Sequence, residues 1–277
     1  MLPAQTQSRL HLRPYLALVR LAFHKQFAYR AANLAGFVTN SFFSLLRAAV
    51  VIALYNAQPD GATVGGFSLR DAVTYTGIGQ ALIGWVALWG WWDILLAVKS
   101  GEVATDLQRP IGFFWYWCAQ DFGRACAQLI MRGLPIMALY AALYPITWPG
   151  SLVQVLGFLM ALLLAWFISF AWRFLYSIAA FWTTDAKGFG RMASFLAIFA
   201  SGFIMPVGFF PDWVQGALRA LPWSAMVNTP VEAFVNVVTG DGLVLAIAQQ
   251  AFWAAALCLL AHGLLHAGSR KLAVDGG

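Results

Sequence analysis

Residues 151–182, SLVQVLGFLMALLLAWFISFAWRFLYSIAAFW, run for 32 positions with a single charged side chain, Arg173. A helix crosses about 30 Å of hydrocarbon with roughly 20 apolar residues. At about 1.5 Å per residue this stretch exceeds that thickness, so it must tilt or protrude.

Five more apolar runs flank it, at 33–55, 72–97, 125–147, 192–210 and 243–267. The composition agrees: 61% of the 277 residues are hydrophobic and 10% are charged. Soluble chains run near ~45–50% apolar and ~25% charged. That imbalance excludes an ordinary cytosolic enzyme, a disordered tail and a secreted disulfide scaffold. The expected fold class is all-α: a polytopic membrane protein with six transmembrane helices, forming one transmembrane domain over 1–277. Cys118, Cys126 and Cys258 are scattered and form no CxxC, so they read as small buried apolar residues. No cleavable signal peptide is expected, because about thirty residues rich in Arg and His precede the first apolar run.

Placing the N-terminus inside puts twelve of the 17 Lys and Arg in cytoplasmic segments. Only Arg70 and Arg219 then lie outside, while Arg47, Arg132 and Arg173 fall within spans. That bias puts both termini in the cytoplasm. Residues 9–31 form a separate basic element, with Arg9, Arg13, Arg20 and His24 on one narrow helical face. It reads as an interfacial helix on the anionic inner leaflet rather than a nucleic-acid arm, so membrane lipid is an expected partner and nucleic acid is not.

The outer segment 211–242 holds two expected short helices, re-entrant or interfacial. These are Asp212–Leu221, with Asp212 and Gln215 as a capping box, and Thr229–Val238, with Thr229 and Glu232 as another and Pro230 at the first helical position. Trp213, Trp223 and Phe234 suit a membrane interface.

No GxxxxGK[ST], GxSxG, HExxH or EF-hand spacing is present. His262 and His266 sit at i and i+4, but without partner ligands they read as interfacial, so no metal is expected. Charges within spans need a reason, because an arginine at the bilayer centre costs about 2.5–3.5 kcal/mol on insertion scales. Arg47 lies deepest and is the leading candidate for a pathway residue, with Asp93, Arg132 and Arg173 the other candidates for the path or its support. Arg132 can snorkel to the inner surface. Asp93, beside Trp91 and Trp92, is a candidate ion-pair partner of Arg173 or Arg132. Ala193, Ala197 and Ser201 form a small-residue ridge, suited to packing within the chain or to a seam between subunits.

The segment 98–123 opens with VKSGEVATDLQRPI. A short polar helix can start at Ser100 and stop at Pro110. The aromatic block Phe113–Trp117 then lies along the inner surface. This makes a compact charged knob tied to two spans, suited to being pushed by a partner.

At this knob the chain resembles the permease subunits of ABC-type exporters of the second exporter class, in particular a bacterial group with viologen-exporter-like permeases. The resemblance rests on Ser100-Gly101-Glu102 and on Leu107-Gln108-Arg109-Pro110, where the group commonly has Leu-Leu-Arg-Pro. It extends to the six-span plan, the basic N-terminal helix and the proline-rich outer segment. The family implies a non-enzymatic transport subunit of the bacterial cytoplasmic membrane. It pairs with a second permease, the same or homologous, and sits on two separate ATPase subunits. No cofactor is expected in this chain; ATP and Mg belong to the ATPase. Glu102–Ile111 would be the coupling helix, with Glu102, Asp106, Leu107, Arg109 and Pro110 meeting the ATPase. Two other classes remain open, an ion-driven secondary transporter and a polytopic lipid-modifying enzyme using His262, His266 or Asp93.

Overall fold

The computed structural model describes residues 12–275 apart from Pro110 and Thr184, without the side chains of 104, 107 and 271–275. Arg9 and Pro110, both among the expectations above, lie outside the described residues, and so does the side chain of Leu107. Among the described residues the chain is helical, with no strand.

Helix α1 (Leu12–Phe27) turns at Ala28 and Tyr29 into α2 (Arg30–Asn56). Next comes α3 (Leu69–Leu82), which starts at a capping box: Ser68 Oγ accepts from the Asp71 amide while Asp71 accepts from the Ser68 amide. Helix α4 (Asp93–Ser100) stops at Gly101, whose φ of 81° is the left-handed conformation that glycine adopts without a Cβ penalty. A five-residue helix, α5 (Val103–Leu107), leads into α6 (Phe113–Gln128), a π-helical turn (Leu129–Gly133) and α7 (Leu134–Leu143). Pro135 lacks the amide that a regular helix needs there, and the π turn just before it absorbs the mismatch. Then come α8 (Leu152–Ile178), capped by Ser151, α9 (Ala186–Ala200), capped by Asp185, α10 (Asp212–Ala220), α11 (Asn228–Phe234) and α12 (Gly240–Asp275).

Four continuous helices are long and apolar enough to cross a membrane: Arg30–Asn56, Phe113–Leu143, Leu152–Phe181 and Gly240–Arg270. They correspond to four of the six apolar runs. The other two runs are interrupted. Run 72–97 is α3 and α4 separated by a non-helical turn at 83–92, where Ala87 and Gly90 take positive φ. Run 192–210 loses its helix at Ala200, turns at Gly202 and regains only a 3-10 turn at Val207–Phe209. Hydropathy registers apolar length but not continuity of the backbone.

Several local expectations are corrected. The helix that carries run 125–147 starts at Phe113, twelve residues before 125, so Phe113–Trp117 is helix rather than a surface strip. Phe113, Phe114 and Trp117 are buried, packing with Phe170, Phe174 and Trp91. Arg124, counted with the loops, is inside this helix and buried. The short polar helix begins at Val103 rather than Ser100, because Gly101 ends α4 first. Asp93 is exposed at the start of α4 and pairs with neither Arg173 nor Arg132. Neither expected capping box forms. Gln215 instead donates to the Gly208 and Phe210 carbonyls, and Glu232 holds Arg219. Phe234 is buried against Phe158 and Trp148, whereas Trp213 is exposed.

Helix α1 packs lengthwise on α6. A Cβ built on Gly123 would stand 2.2 Å from the Val19 carbonyl oxygen, so glycine permits this approach. At the far end of the contact Gln128 donates to Gln26 at 3.0 Å.

Candidate functional site

Each interrupted run frees backbone carbonyls that apolar surroundings cannot satisfy, and such backbone is tolerated at membrane depth only where protein supplies partners. At the 83–92 turn, Arg124 of α6 donates to the Gly84 carbonyl at 2.7 Å and to Trp85 at 3.4 Å. Ser169 of α8 donates to the Val86 carbonyl.

Arg124 is itself held by Asp121, one helical turn earlier, at 2.7 Å. Arg173 of α8 meets the same carboxylate through both terminal nitrogens, at 2.9 and 2.8 Å. The Trp166 indole adds a fourth bond at 2.9 Å. Four donors fill the acceptor capacity of one carboxylate. The cluster therefore holds one anion and two cations, all buried, and ties α6, α8 and the turn together.

The second interruption is served by α2. Arg47 donates to the Phe203 carbonyl, to Ile204 at 3.2 Å and to Gln80 Oε1 at 3.3 Å, and stacks over the Phe203 ring at 4.5 Å. Tyr75 donates to the Gly202 carbonyl at 2.9 Å and to Asn228 at 3.0 Å, while Asn228 Oδ1 also accepts from the Val207 amide. Beside Arg47 lies a cavity of about 350 Å³, walled by Thr39, Asn40, Phe43, Gln80, Ile83, Trp89 and Phe203. Thr39, Phe43 and Trp89 among its walls are exposed, so it opens at the surface of the chain. Ile83 and Trp89 belong to the turn that Arg124 supports.

The knob stands where α4 gives way to α6. Val103 is buried and anchors α5, while Glu102, Gln108 and Arg109 are exposed. Arg109 pairs with Asp106 at 2.9 Å and lies over the Tyr116 ring at 4.7 Å, so part of its charge is spent within the chain. Asp106 is only 8% exposed, which turns it inward rather than toward a partner.

Among the remaining sequence candidates, Arg132 reaches Ala32 and Asn33 at the start of α2. Ala193 and Ala197 of α9 and Ser201 just after it are buried, and the Trp172 indole of α8 donates to the Ala193 carbonyl. The structure thus brings Arg173 to Asp121 and Arg47 to the cavity, and leaves Asp93 apart from both. Asp121 and Arg124 escaped the sequence reading because they lay upstream of the assigned span. Their i, i+3 opposite charges inside an aromatic-rich stretch are the signal that a longer span would have exposed. On α10 and α11, Arg219 is clasped by Glu232 at 2.6 and 2.7 Å, and those hydrogen bonds raise the arginine above its ordinary pKa.

Residues 44–276 match the family model described as ABC-2 family transporter protein. No curated protein and no solved structure matches the chain. The matched region takes in the second half of α2, the three later long apolar helices, the buried ionic cluster, Arg47 and the knob, and the chain belongs to the ABC-2 family of transporter membrane proteins.

Proposed function

We propose that this chain is the permease half of an ATP-driven exporter in the bacterial cytoplasmic membrane, within the viologen-exporter-like group. In this reading the two interrupted runs also cross, giving six crossings with both termini and the knob in the cytoplasm. Helix α1 rests near the inner leaflet, and α10 and α11 cover the outer side. Two ATPase subunits, carrying ATP and Mg, dock on the knob of each of two permease halves, identical or homologous. The cavity at Arg47 becomes part of a shared path whose access alternates. Such switching requires the ligand and nucleotide states to differ in affinity for the two conformations.

One observation carries this reading: an unbroken mechanical chain joins the knob to the cavity. The exposed Arg109 stacks on Tyr116 of α6. Two turns further along α6, Arg124 holds the Gly84 and Trp85 carbonyls. That turn supplies Ile83 and Trp89 to the cavity wall. A push on the knob has a packed route to the path.

The experiment pairs co-purification with transport. The chain should bring down an ATPase in stoichiometric yield. Arg109→Glu should abolish stimulation of that ATPase while membrane insertion persists. Purification of the chain without an ATPase, or unchanged transport in Arg109→Glu, would sink the proposal.

An ion-driven carrier draws support from the two interrupted runs and the buried Asp121, features that such carriers use to bind ions. Against it, both Asp121 oxygens are already filled by two arginines and Trp166.

A further inference from the structure

Arg47 and Arg132 differ from the other buried or half-buried arginines in having only amide and carbonyl partners, and Arg47 has a cavity beside it. Arg124 and Arg173 share Asp121, and Arg219 has Glu232. Among the described residues Arg47 meets no carboxylate; its partners are an amide and two backbone carbonyls. An arginine on a crossing helix without a counter-ion is costly and marks a site where charge is used.

A guanidinium has five N–H donors, and three hydrogen bonds account for those Arg47 uses here. The cavity beside it holds another unspent donor, because Asn40 Nδ2 is buried and finds no acceptor among the described residues. Thr39, Asn40, Phe43 and Arg47 follow one another at one-, three- and four-residue steps, which places them along one side of α2. The walls add the aromatic faces of Phe43, Trp89 and Phe203. Among the described residues no acid lines the cavity.

We infer that this cavity takes an aromatic amphipath bearing one anionic group: the anion lies against Arg47 and Asn40, and the flat apolar body lies between Phe43, Trp89 and Phe203. The inference rests on the cavity being the transport path and names what the path accepts. It runs against amphipathic cations, which would meet an uncompensated positive charge and no carboxylate. The same anionic chemistry is available from a lipid headgroup or from a soluble compound.

Three probes share one aromatic body and differ in charge: 1-naphthalenesulfonate, neutral 1-naphthol and 1-naphthylmethylammonium. Their binding is measured by calorimetry on the full chain in phosphatidylcholine nanodiscs. The sulfonate should bind at least about tenfold more tightly than the ammonium, with the naphthol between them. Arg47→Gln should abolish that order, and Arg47→Lys should largely keep it. Because Arg47 also supports the α9 turn, Asn40→Leu provides a variant that leaves that support intact, and it should weaken the sulfonate about threefold. Equal or tighter binding of the ammonium, or an unchanged order in folded Arg47→Gln, overturns the inference. Repeating the titration in phosphatidylglycerol discs separates the sources. Loss of sulfonate binding there assigns the anion to lipid, retention assigns it to a soluble compound, and both uphold the anion site. Transport with the ATPase is read separately. Failed transport with the sulfonate preference intact removes the functional reading alone, and working transport with ammonium preferred removes this inference alone.

Discussion

Arg173 grips Asp121 through two parallel hydrogen bonds of 2.9 and 2.8 Å, fastening the C-terminal third of α8 to α6. The pair is fully interior, with side-chain exposures of 3% and 0%. Since Arg124 shares the same carboxylate, the two arginines are unequal in what their removal leaves behind.

Asp121→Asn strands two buried cations, whereas Arg173→Met leaves a neutral Asp121–Arg124 pair. Breaking a buried pair by removing one partner costs about 3–5 kcal/mol. The aspartate variant should fall at or above that range and the arginine variant below it. Thermal unfolding followed by size-exclusion chromatography in detergent checks the order. A less stable Arg173→Met would mean that Arg124 does not take over the carboxylate.

Two glycines separate backbone crowding from side-chain crowding. A Cβ on Gly123 would press on the Val19 carbonyl, which cannot move without α1. A Cβ on Gly36 would stand 2.4 Å from Arg132 Cζ, the far end of a flexible side chain. Gly123→Ala should therefore loosen α1 and expose it to protease. Gly36→Ala should only displace Arg132 from Ala32 and Asn33, at roughly 1.5–3 kcal/mol for hydrogen bonds to a charged group. Limited proteolysis of the two variants side by side reads the difference.

The contrast between these sites shows what the sequence could reveal. Apolar length located the four long helices, and the charged stretch from Lys99 to Arg109, with Gly101 within it and Pro110 at its end, marked the knob. Continuity was hidden, because the residues of the 83–92 turn, IGWVALWGWW, include no charged residue, proline or small polar side chain to mark a break. What makes that turn tolerable is Arg124, forty positions away from Gly84 and classed with the loops. Asp121 was missed for the same reason: a hydropathy window ends where charge begins, even when the charge is internally neutralised. Arg47 was legible because it stands alone in an apolar run, although its contact with Phe203 and Ile204 spans more than 150 residues.

Arg219 and Glu232 tie α10 to α11 with one partner buried and the other 39% exposed on its side chain. Removing the arginine strands a buried carboxylate, at about 1–3 kcal/mol or somewhat more for a charged group. Solvent reaching the exposed arginine trims what the intact pair contributes. Arg219→Ala should thus destabilise more than Glu232→Gln, which leaves an exposed cation that water can solvate. A double-mutant cycle on thermal stability measures the coupling. Equal single losses with no coupling would reduce the pair to a surface contact.

The knob poses the sharpest question, since Arg109 faces both inward to Asp106 and outward to solvent. Arg109→Glu breaks the internal pair and places two acids three residues apart, so a functional loss alone does not say which face mattered. The exchange Asp106→Arg with Arg109→Glu restores an opposite-charge pair at the same i, i+3 spacing. If Arg109 acts only within the chain, the exchanged protein should recover ATPase stimulation together with stability. If its exposed face meets the ATPase, stability should return and stimulation should not, because the partner then meets a carboxylate where it requires a guanidinium. The second outcome is expected, since nearly half of the Arg109 side chain, 45%, remains open to solvent after the internal pair has formed. Thermal stability and ATPase rate measured on the same preparation distinguish the two.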